Sequence, residues 1–330
     1  MAEVARIAPT HDILRAQDVS KRLRECVGTA LVGKDDIVER AVIAVLARGH
    51  LLIEDIPGVG KTTLARALAR AIGANYRRIQ CTSDLMPSDV LGVNVYDSAD
   101  RTFVFKPGPI FTNVVLADEI NRATPRTQSA MLEAMSERQV TVDGSTHRLD
   151  EPFIVIATQN PDDNAGTYPL PDSQLDRFLL RTRVGYPSEE VEKQMLLSRQ
   201  EDTVEDLEPA VTAEAFVRAQ QQIDHVRVDA SVLDYAYAIV QATRMQEGIV
   251  TGVSPRGGKS FVRAACARAL VHGRTFVIPD DFSELAVPAL AHRIRLSGTD
   301  AGVSAMLGES ARDDAERVIR DVVARIDIPL

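Results

Sequence analysis

Gly60-Lys61-Thr62 sets a lysine and a hydroxyl directly behind a glycine turn, where a short apolar run gives way to a helical pattern. The run is Leu51-Leu52-Ile53, the turn passes through Pro57, Gly58 and Val59, and the helix opens as Leu64-Ala65-Arg66-Ala67-Leu68-Ala69. Strand, loop, helix is the order that aims backbone amides and a helix dipole at one anion. Pro57, Gly58, Val59, Gly60, Lys61, Thr62 and Thr63 would line a phosphate chain. Lys61 would reach the outer phosphates, and the Thr62 hydroxyl would hold Mg²⁺. The first glycine of the pattern G-x-x-x-x-G-K-[ST] is here Asp55. Asp tolerates unusual backbone angles better than most residues, though less well than Gly, and its charge must point away from the phosphates. A chance Gly-Lys-Thr at a helix start is the plainer reading, but it leaves the flanking strand and helix unexplained.

Hydrolysis needs acids beside such a loop. Val114-Val115-Leu116 is a continuous apolar run, the mark of a strand buried on both faces of a parallel sheet, and it ends in Ala117-Asp118-Glu119. Ligands of open α/β sheets sit at that end of the strands. Asp118 would orient Mg²⁺ through water, and Glu119 would polarise the attacking water. Acids also favour helix N-caps, which is the competing explanation. A second buried run, Phe153-Ile154-Val155-Ile156-Ala157-Thr158, ends in Gln159-Asn160-Pro161, where Asn160 can position the lytic water. Asn before Pro is equally an ordinary turn starter. Ser254-Pro255-Arg256 starts a helix with Ser at the N-cap and Pro behind it, so Arg256 falls in the first turn, where the dipole disfavours a cation. A charge set against its local field points to a partner anion, such as an ATP phosphate. Val32-Gly33, a turn between two helical patterns just before the P-loop strand, is the candidate neighbour of the adenine.

The elements that must carry these residues follow from periodicity. Helices are predicted over 12–31 and 36–47, then about 189–201, 212–223, 229–246, 255–271 and 280–295, with a last amphipathic one over about 311–326. Residues 81–109, rich in turn formers, read as a small helix with a projecting β-hairpin, and Asp143-Gly144 marks a second hairpin. The chain then divides into a tail (1–15), an α/β nucleotide-binding domain (16–187) with hairpin insertions at about 90–107 and 138–150, and a helical lid domain with a C-terminal helix (188–330).

Composition bounds the function. At 330 residues, with 45% hydrophobic and 26% charged residues, this is a globular chain of one large or two ordinary domains. A net charge of −9 argues against a standing nucleic-acid or anionic-membrane surface. Cys26, Cys81 and Cys266 are scattered, without a C-x-x-C pair, so neither a disulfide framework nor a zinc site is indicated, and a reduced, cytoplasmic setting is expected. No apolar run approaches the ~20 residues that a membrane helix needs.

Together these motifs resemble the AAA+ ATPases, and more narrowly the MoxR family within the helix-2-insert clade. The resemblance covers about residues 30–295. Glu54 to Thr63 resembles the family's P-loop, which often lacks the first glycine, and Gly108 to Ala123 its Walker B segment. Thr127 to Val140 resembles its following helix and hairpin, Ala157 to Pro161 sensor 1, Leu175-Asp176-Arg177-Phe178 the arginine-finger segment, and Ser254-Pro255-Arg256 sensor 2. The resemblance implies an α/β fold with a parallel five-stranded sheet in the order 5-1-4-3-2, followed by an all-helical lid. It implies ATP and Mg²⁺ as cofactors and a ring, usually a hexamer, with ATP held between subunits. Arg177 would act in trans on the neighbour's nucleotide, with Arg181, Arg183 and Arg122 as alternatives, while Arg256 would act in cis from the lid. The two hairpins would face the ring pore.

The implied activity is ATP hydrolysis coupled to remodelling or maturation of a partner, with von Willebrand factor A domain proteins as the usual clients. A nucleotide-gated assembly scaffold with little turnover is the alternative, and a nucleic-acid-stimulated motor a further one that the acidic balance disfavours. Val90-Leu91-Gly92-Val93 offers no aromatic for a threading pore loop. Gly257-Gly258, where relatives carry helix formers, should loosen the start of the Arg256 helix.

Overall fold

The computed structural model describes residues 11–160, 166–197, 204–297 and 309–329. Pro161, the outer part of the predicted tail (1–10) and the end of the predicted 189–201 helix lie outside them. Helices α1 (His11–Ala30) and α2 (Asp35–Leu46) precede strand β1 (Leu51–Glu54), and the P-loop leads into α3 (Lys61–Ile72) and β2 (Tyr76–Gln80). A short α4 (Pro87–Leu91) opens the hairpin β3 (Gly92–Asp97) and β4 (Thr102–Pro107). Next come β5 (Val114–Asp118), α5 (Pro125–Glu137) and the second hairpin, β6 (Gln139–Val142) with β7 (Ser145–Arg148). β8 (Ile154–Gln159), α6 (Asp172–Leu175) and β9 (Leu180–Thr182) finish the α/β part.

Five strands pair in parallel in the order β2-β5-β8-β1-β9. Counted along the chain as strands 1 to 5 of the core, this is the expected 5-1-4-3-2 read from the opposite edge. Period-2 alternation sorts the side chains into two cores. Leu51, Ile53, Val114, Leu116, Ile154 and Ile156 face the helices of one layer, while Leu52, Val115, Ala117, Val155 and Ala157 face the layer that holds α5. Burial on both faces is why these strands read as unbroken apolar runs.

The helical part contains α7 (Glu189–Leu197), α8 (Ala213–Gln222) and α9 (Ala230–Met245), then β10 (Ile249–Thr251) and α10 (Pro255–Val271). α11 (Pro279–Leu290), β11 (Arg295–Leu296) and α12 (Glu309–Ala324) complete it. The expectation of helices alone is corrected by β10 and β11, which form a small antiparallel pair. α1 starts at His11 and buries Ile13, so the helix reaches into the stretch assigned to a tail. The split at 187 is not a break in packing either. Phe216 and Ala219 of α8 share one core with α1, α2 and α3, and the Gln220 amide donates to Val45 O at 2.6 Å.

The two hairpins lean on one another. Phe105 stacks on His147 with centroids 3.9 Å apart, and Asn94 donates to Asp143 Oδ2. Val90 is fully buried, whereas Tyr96 and Phe103 form an exposed edge-to-face pair further out. The projecting apolar surface therefore carries aromatics, away from the Val90–Val93 stretch.

Candidate functional site

The loop after β1 is shaped by left-handed glycines at Gly58 (φ +85°) and Gly60 (φ +95°), angles that disfavour any side chain. Gly60 caps α3 without a side-chain hydrogen bond, and the first helical bond is Leu64 N to Gly60 O. The amides of Lys61, Thr62 and Thr63 therefore leave the helix end without an intrahelical partner. No acidic residue occupies the first turn, so this end stays electropositive. The Lys61 ammonium donates to the carbonyls of Asp55 (2.6 Å) and Ile56 (3.2 Å) across the loop mouth. Burial pushes its pKa down, against the opposing pull of Asp55, Asp118 and Glu119.

Asp55 needs no left-handed backbone, and its charge is turned away from the loop centre. One carboxylate oxygen accepts the amides of Val184 and Gly185, both at 2.6 Å, and the other accepts Ile56 N at 2.8 Å. The turn after β9 is in this way stapled to the P-loop. Lys34 grips the same turn from the other side through the carbonyls of Val184 (2.6 Å), Gly185 (2.9 Å) and Tyr186 (2.6 Å). Val32 and Gly33 immediately precede this lysine, and Val32 is exposed.

Asp118 and Glu119 stand at the end of β5, and Thr158 of β8 organises both. Its hydroxyl donates to Asp118 Oδ1 at 2.6 Å and accepts Glu119 N at 2.9 Å. Glu119 adopts φ +56°, a strained angle for this residue type, which turns its carboxylate off the strand axis. Arg122 Nε pairs with Glu119 at 3.1 Å, and Gln80 donates to the same oxygen at 3.4 Å. Asp118 Oδ2 accepts Arg78 Nε (3.0 Å) and Nη2 (2.6 Å). Asn160 directly follows β8, whose last residue, Gln159, accepts Asp55 N at 3.1 Å. Lys61, Asp118, Glu119 and Asn160 are thus gathered at one end of the sheet.

Arg177 and Arg256 are not there. Arg177 donates to Leu132 O (2.8 Å) and to Ser136 Oγ, and Arg256 donates to that same Ser136 hydroxyl at 3.3 Å. Both line a cleft of about 330 Å³ with Arg48, His50, Ser136 and Arg138. His50 precedes β1, whereas the P-loop follows it, so the length of β1 separates the two groups by roughly 15 Å at ~3.3 Å per residue. The expected contact of Arg256 with its own chain's nucleotide is therefore corrected: α10 begins at the end of the sheet opposite to the P-loop. The expected looseness at Gly257 is corrected too. A Cβ there would stand 2.8 Å from Arg293 Cδ and 2.9 Å from Val253 Cγ1, so Gly257 is packed tightly against its neighbours, whereas Gly258 has room for a Cβ. Ser254 caps that turn by accepting Gly257 N at 2.9 Å.

Residues 50–180 match the ATPase family associated with various cellular activities (AAA), and residues 241–323 match the AAA lid domain. The chain is 38% identical to Chaperone MoxR1 of Mycobacterium tuberculosis, over 88% of its own length and 77% of the relative. The chain belongs to the MoxR family of AAA ATPases. Protein MoxR of Methylorubrum extorquens is 31% identical over 85% of this chain and 88% of its own. YeaC of Bacillus subtilis is 47% identical over 93% of each. A crystal structure of a candidate ATPase from Cytophaga hutchinsonii superposes with a TM-score of 0.84 at 32% identity, covering 97% of both chains.

An AAA ATPase binds nucleotide, and the residues of this MoxR-family site fit one with its divalent cation. The α3 amides and Lys61 suit phosphate oxygens, while the Thr62 hydroxyl and the Asp118 carboxylate are hard oxygen ligands of the kind Mg²⁺ takes. Among the described residues no cluster of three or more His, Cys, Asp or Glu could hold a metal ion. No described helix is long and apolar enough to cross a membrane.

Sequence reasoning missed several residues of this MoxR-family site. Thr158 and Arg78 brace the acids. Arg293, with a side chain only 1% exposed, clamps the segment around Arg177 through Asp176 Oδ1 (2.8 Å) and the Phe178 carbonyl (2.7 Å). Ser254 donates to Asp176 Oδ2 at 3.2 Å, so one carboxylate fixes the segments of both Arg177 and Arg256. A polar residue inside an apolar strand run was the only signal for Thr158. For the arginines there was none, since their partners are distant in sequence.

Proposed function

We propose that this protein is a Mg²⁺-dependent ATPase whose sites are completed between subunits of a homo-oligomeric ring, a hexamer by family resemblance. We propose further that it spends ATP turnover on remodelling or maturing a partner protein. One observation carries the reading. The phosphate loop with its two acids lies at one end of the sheet, while Arg177 and Arg256 lie together at the other. A head-to-tail neighbour would bring the second group to the first, which is the geometry of a closed ring. The alternative fingers support Arg177 by their own positions. Arg122 pairs with Glu119, Arg181 with Glu54 (3.4 Å), and Arg183 with Asp313 (2.6 Å), all within the chain at the loop end.

Lys61 and the α3 amides would hold the phosphates in line, and Asp118 with Thr62 would hold Mg²⁺, which neutralises charge on the phosphate oxygens when bound. Glu119 would accept the proton of the attacking water, and Asn160 would fix that water's position. Arg177 and Arg256 of the adjacent copy would stabilise the charge of the transition state; a finger of this kind is worth ~10³–10⁵ in rate. The chaperone role rests on the kinship with Chaperone MoxR1, and a von Willebrand factor A domain client rests on the family resemblance.

Phosphate release from Mg²⁺-ATP by the purified chain tests the reading. Glu119→Gln should keep nucleotide binding and abolish release. A wild-type chain that binds ATP and assembles, yet releases no phosphate alone or with a co-purified client, would be the gated scaffold instead.

A further inference from the structure

Arg78 braces Asp118 but takes no part in the chemistry proposed above. It lies in β2, which pairs with β5 in a register that sets Gln80 opposite Asp118. Its guanidinium spends two N–H groups on a single oxygen, Asp118 Oδ2, at 3.0 and 2.6 Å. The other oxygen is taken by the Thr158 hydroxyl at 2.6 Å. Two donors fill the lone pairs of Oδ2, so the water shell of a divalent cation cannot use that oxygen while Arg78 stays. The two braces differ in freedom. Thr158 is fully buried, whereas the Arg78 side chain is 49% exposed and can swing toward solvent. Arg78 also reaches the second acid, since its Nη2 donates to Gln80 Oε1 at 2.7 Å and Gln80 Nε2 donates to Glu119.

We propose that Arg78 is a positioning residue that acts as the resting counter-cation of Asp118 and competes with Mg²⁺ for it. The proposal rests on Asp118 as the carboxylate on the metal side. While Arg78 neutralises this carboxylate, free Mg²⁺ gains little by binding. Only the added charge of a nucleotide's phosphates lets the cation win Oδ2. Displacement of Arg78 then frees Gln80, so occupancy by metal is felt at Glu119. Arg78 thereby sets how much Mg²⁺ the site demands.

The test is the binding of a fluorescent N-methylanthraniloyl ADP to the full chain, first in EDTA and then titrated with MgCl₂. Arg78→Gln should leave affinity in EDTA within about twofold of wild type and lower the half-maximal Mg²⁺ concentration threefold or more. Arg78→Lys, which keeps the charge but loses the fork, should stay near the wild-type Mg²⁺ requirement. An unchanged or raised requirement in Arg78→Gln, with thermal unfolding like wild type, would overturn the proposal and leave Arg78 as a brace that helps the metal. Lys and Gln variants behaving alike would overturn it too, because geometry and not charge would then matter. Wild-type affinity that ignores Mg²⁺ would remove Asp118 from the metal side, and a wild type that binds no nucleotide would remove the ATPase reading. Either result also overturns the proposal.

Discussion

Glu54, the residue just ahead of the P-loop, is ion-paired to Arg312 of the last helix with 2.7 Å between Oε2 and Nε. Both side chains are nearly buried, and burial lowers the Arg312 pKa against the pull of Glu54. Arg181 approaches the same carboxylate at 3.4 Å, and Gln159 donates to its other oxygen. A helix that reads from sequence as a plain amphipathic end is thus fastened to the strand that carries the phosphate loop. Arg312→Ala should cost about 3 kcal/mol of stability, the low end for removing one partner of a buried ion pair, because Arg181 stays on the carboxylate. Urea unfolding measures this. A double-mutant cycle with Glu54→Gln should return a coupling of about 1–3 kcal/mol, and a coupling near zero would show that α12 docks without this pair.

The separation of Arg177 and Arg256 from the acids predicts complementation. Lys61→Ala should be inactive because its own loop is broken, and Arg177→Ala because it cannot serve its neighbour. Random 1:1 mixing in a ring leaves about one interface in four with an intact loop facing an intact arginine. Phosphate release should return to roughly that share of wild type. Arg256→Ala mixed with Lys61→Ala should behave alike if both arginines act in trans. Mixtures as dead as their components would place the arginines outside the reaction.

The parts of this site legible in the sequence are those that chain continuity builds. Gly58, Gly60, Lys61 and Thr62 are shaped by one turn and one helix start, and Asp118 and Glu119 by the end of one strand, so residue type and order identify them. The sheet order was accessible through the resemblance that these motifs support. What escaped reading depends on contacts across long sequence separations. Ser254-Pro255 announces the start of α10 but not which end of the sheet that helix meets, so Arg256 read as a cis ligand. Arg78, Arg293 and Arg312 look like ordinary surface arginines until the fold supplies Asp118, Asp176 and Glu54. Gly257 read as a weakness for the same reason, since the Arg293 side chain against it comes from beyond α11.

Asp176 ties the segment that carries Arg177 to the lid, away from the P-loop. Asp176→Ala leaves the deeply buried Arg293 without its carboxylate, a loss of roughly 3 kcal/mol or more. It also removes the link to Ser254 at the cap of the Arg256 helix. Phosphate release should fall sharply, while N-methylanthraniloyl ADP binding at the loop end is kept, because none of the Asp176 partners touches the P-loop. A variant that loses nucleotide affinity in proportion to turnover would show that the two ends of the sheet are not independent.

His50 gives the fold a defined sensitivity to acid. Its Nδ1 accepts Val155 N at 3.0 Å, so the proton resides on Nε2, which donates to Met135 O at 3.1 Å. Burial lowers its pKa to about 4, and the neighbouring Arg138 and Arg256 push the same way against the Met135 hydrogen bond. In the unfolded chain the group returns to about 6.5. The folded state therefore binds fewer protons between these values, and stability that is complete above pH 6.5 drains away as pH falls toward 4. The single group accounts for on the order of 2–3 kcal/mol over that window. His50→Gln, which can keep one acceptor and one donor, should be less stable than wild type at pH 7 and close most of that gap by pH 4.5. Urea unfolding of both proteins at the two pH values decides it, and a gap that stays constant would mean that His50 takes up its proton as readily in the fold as in the unfolded chain.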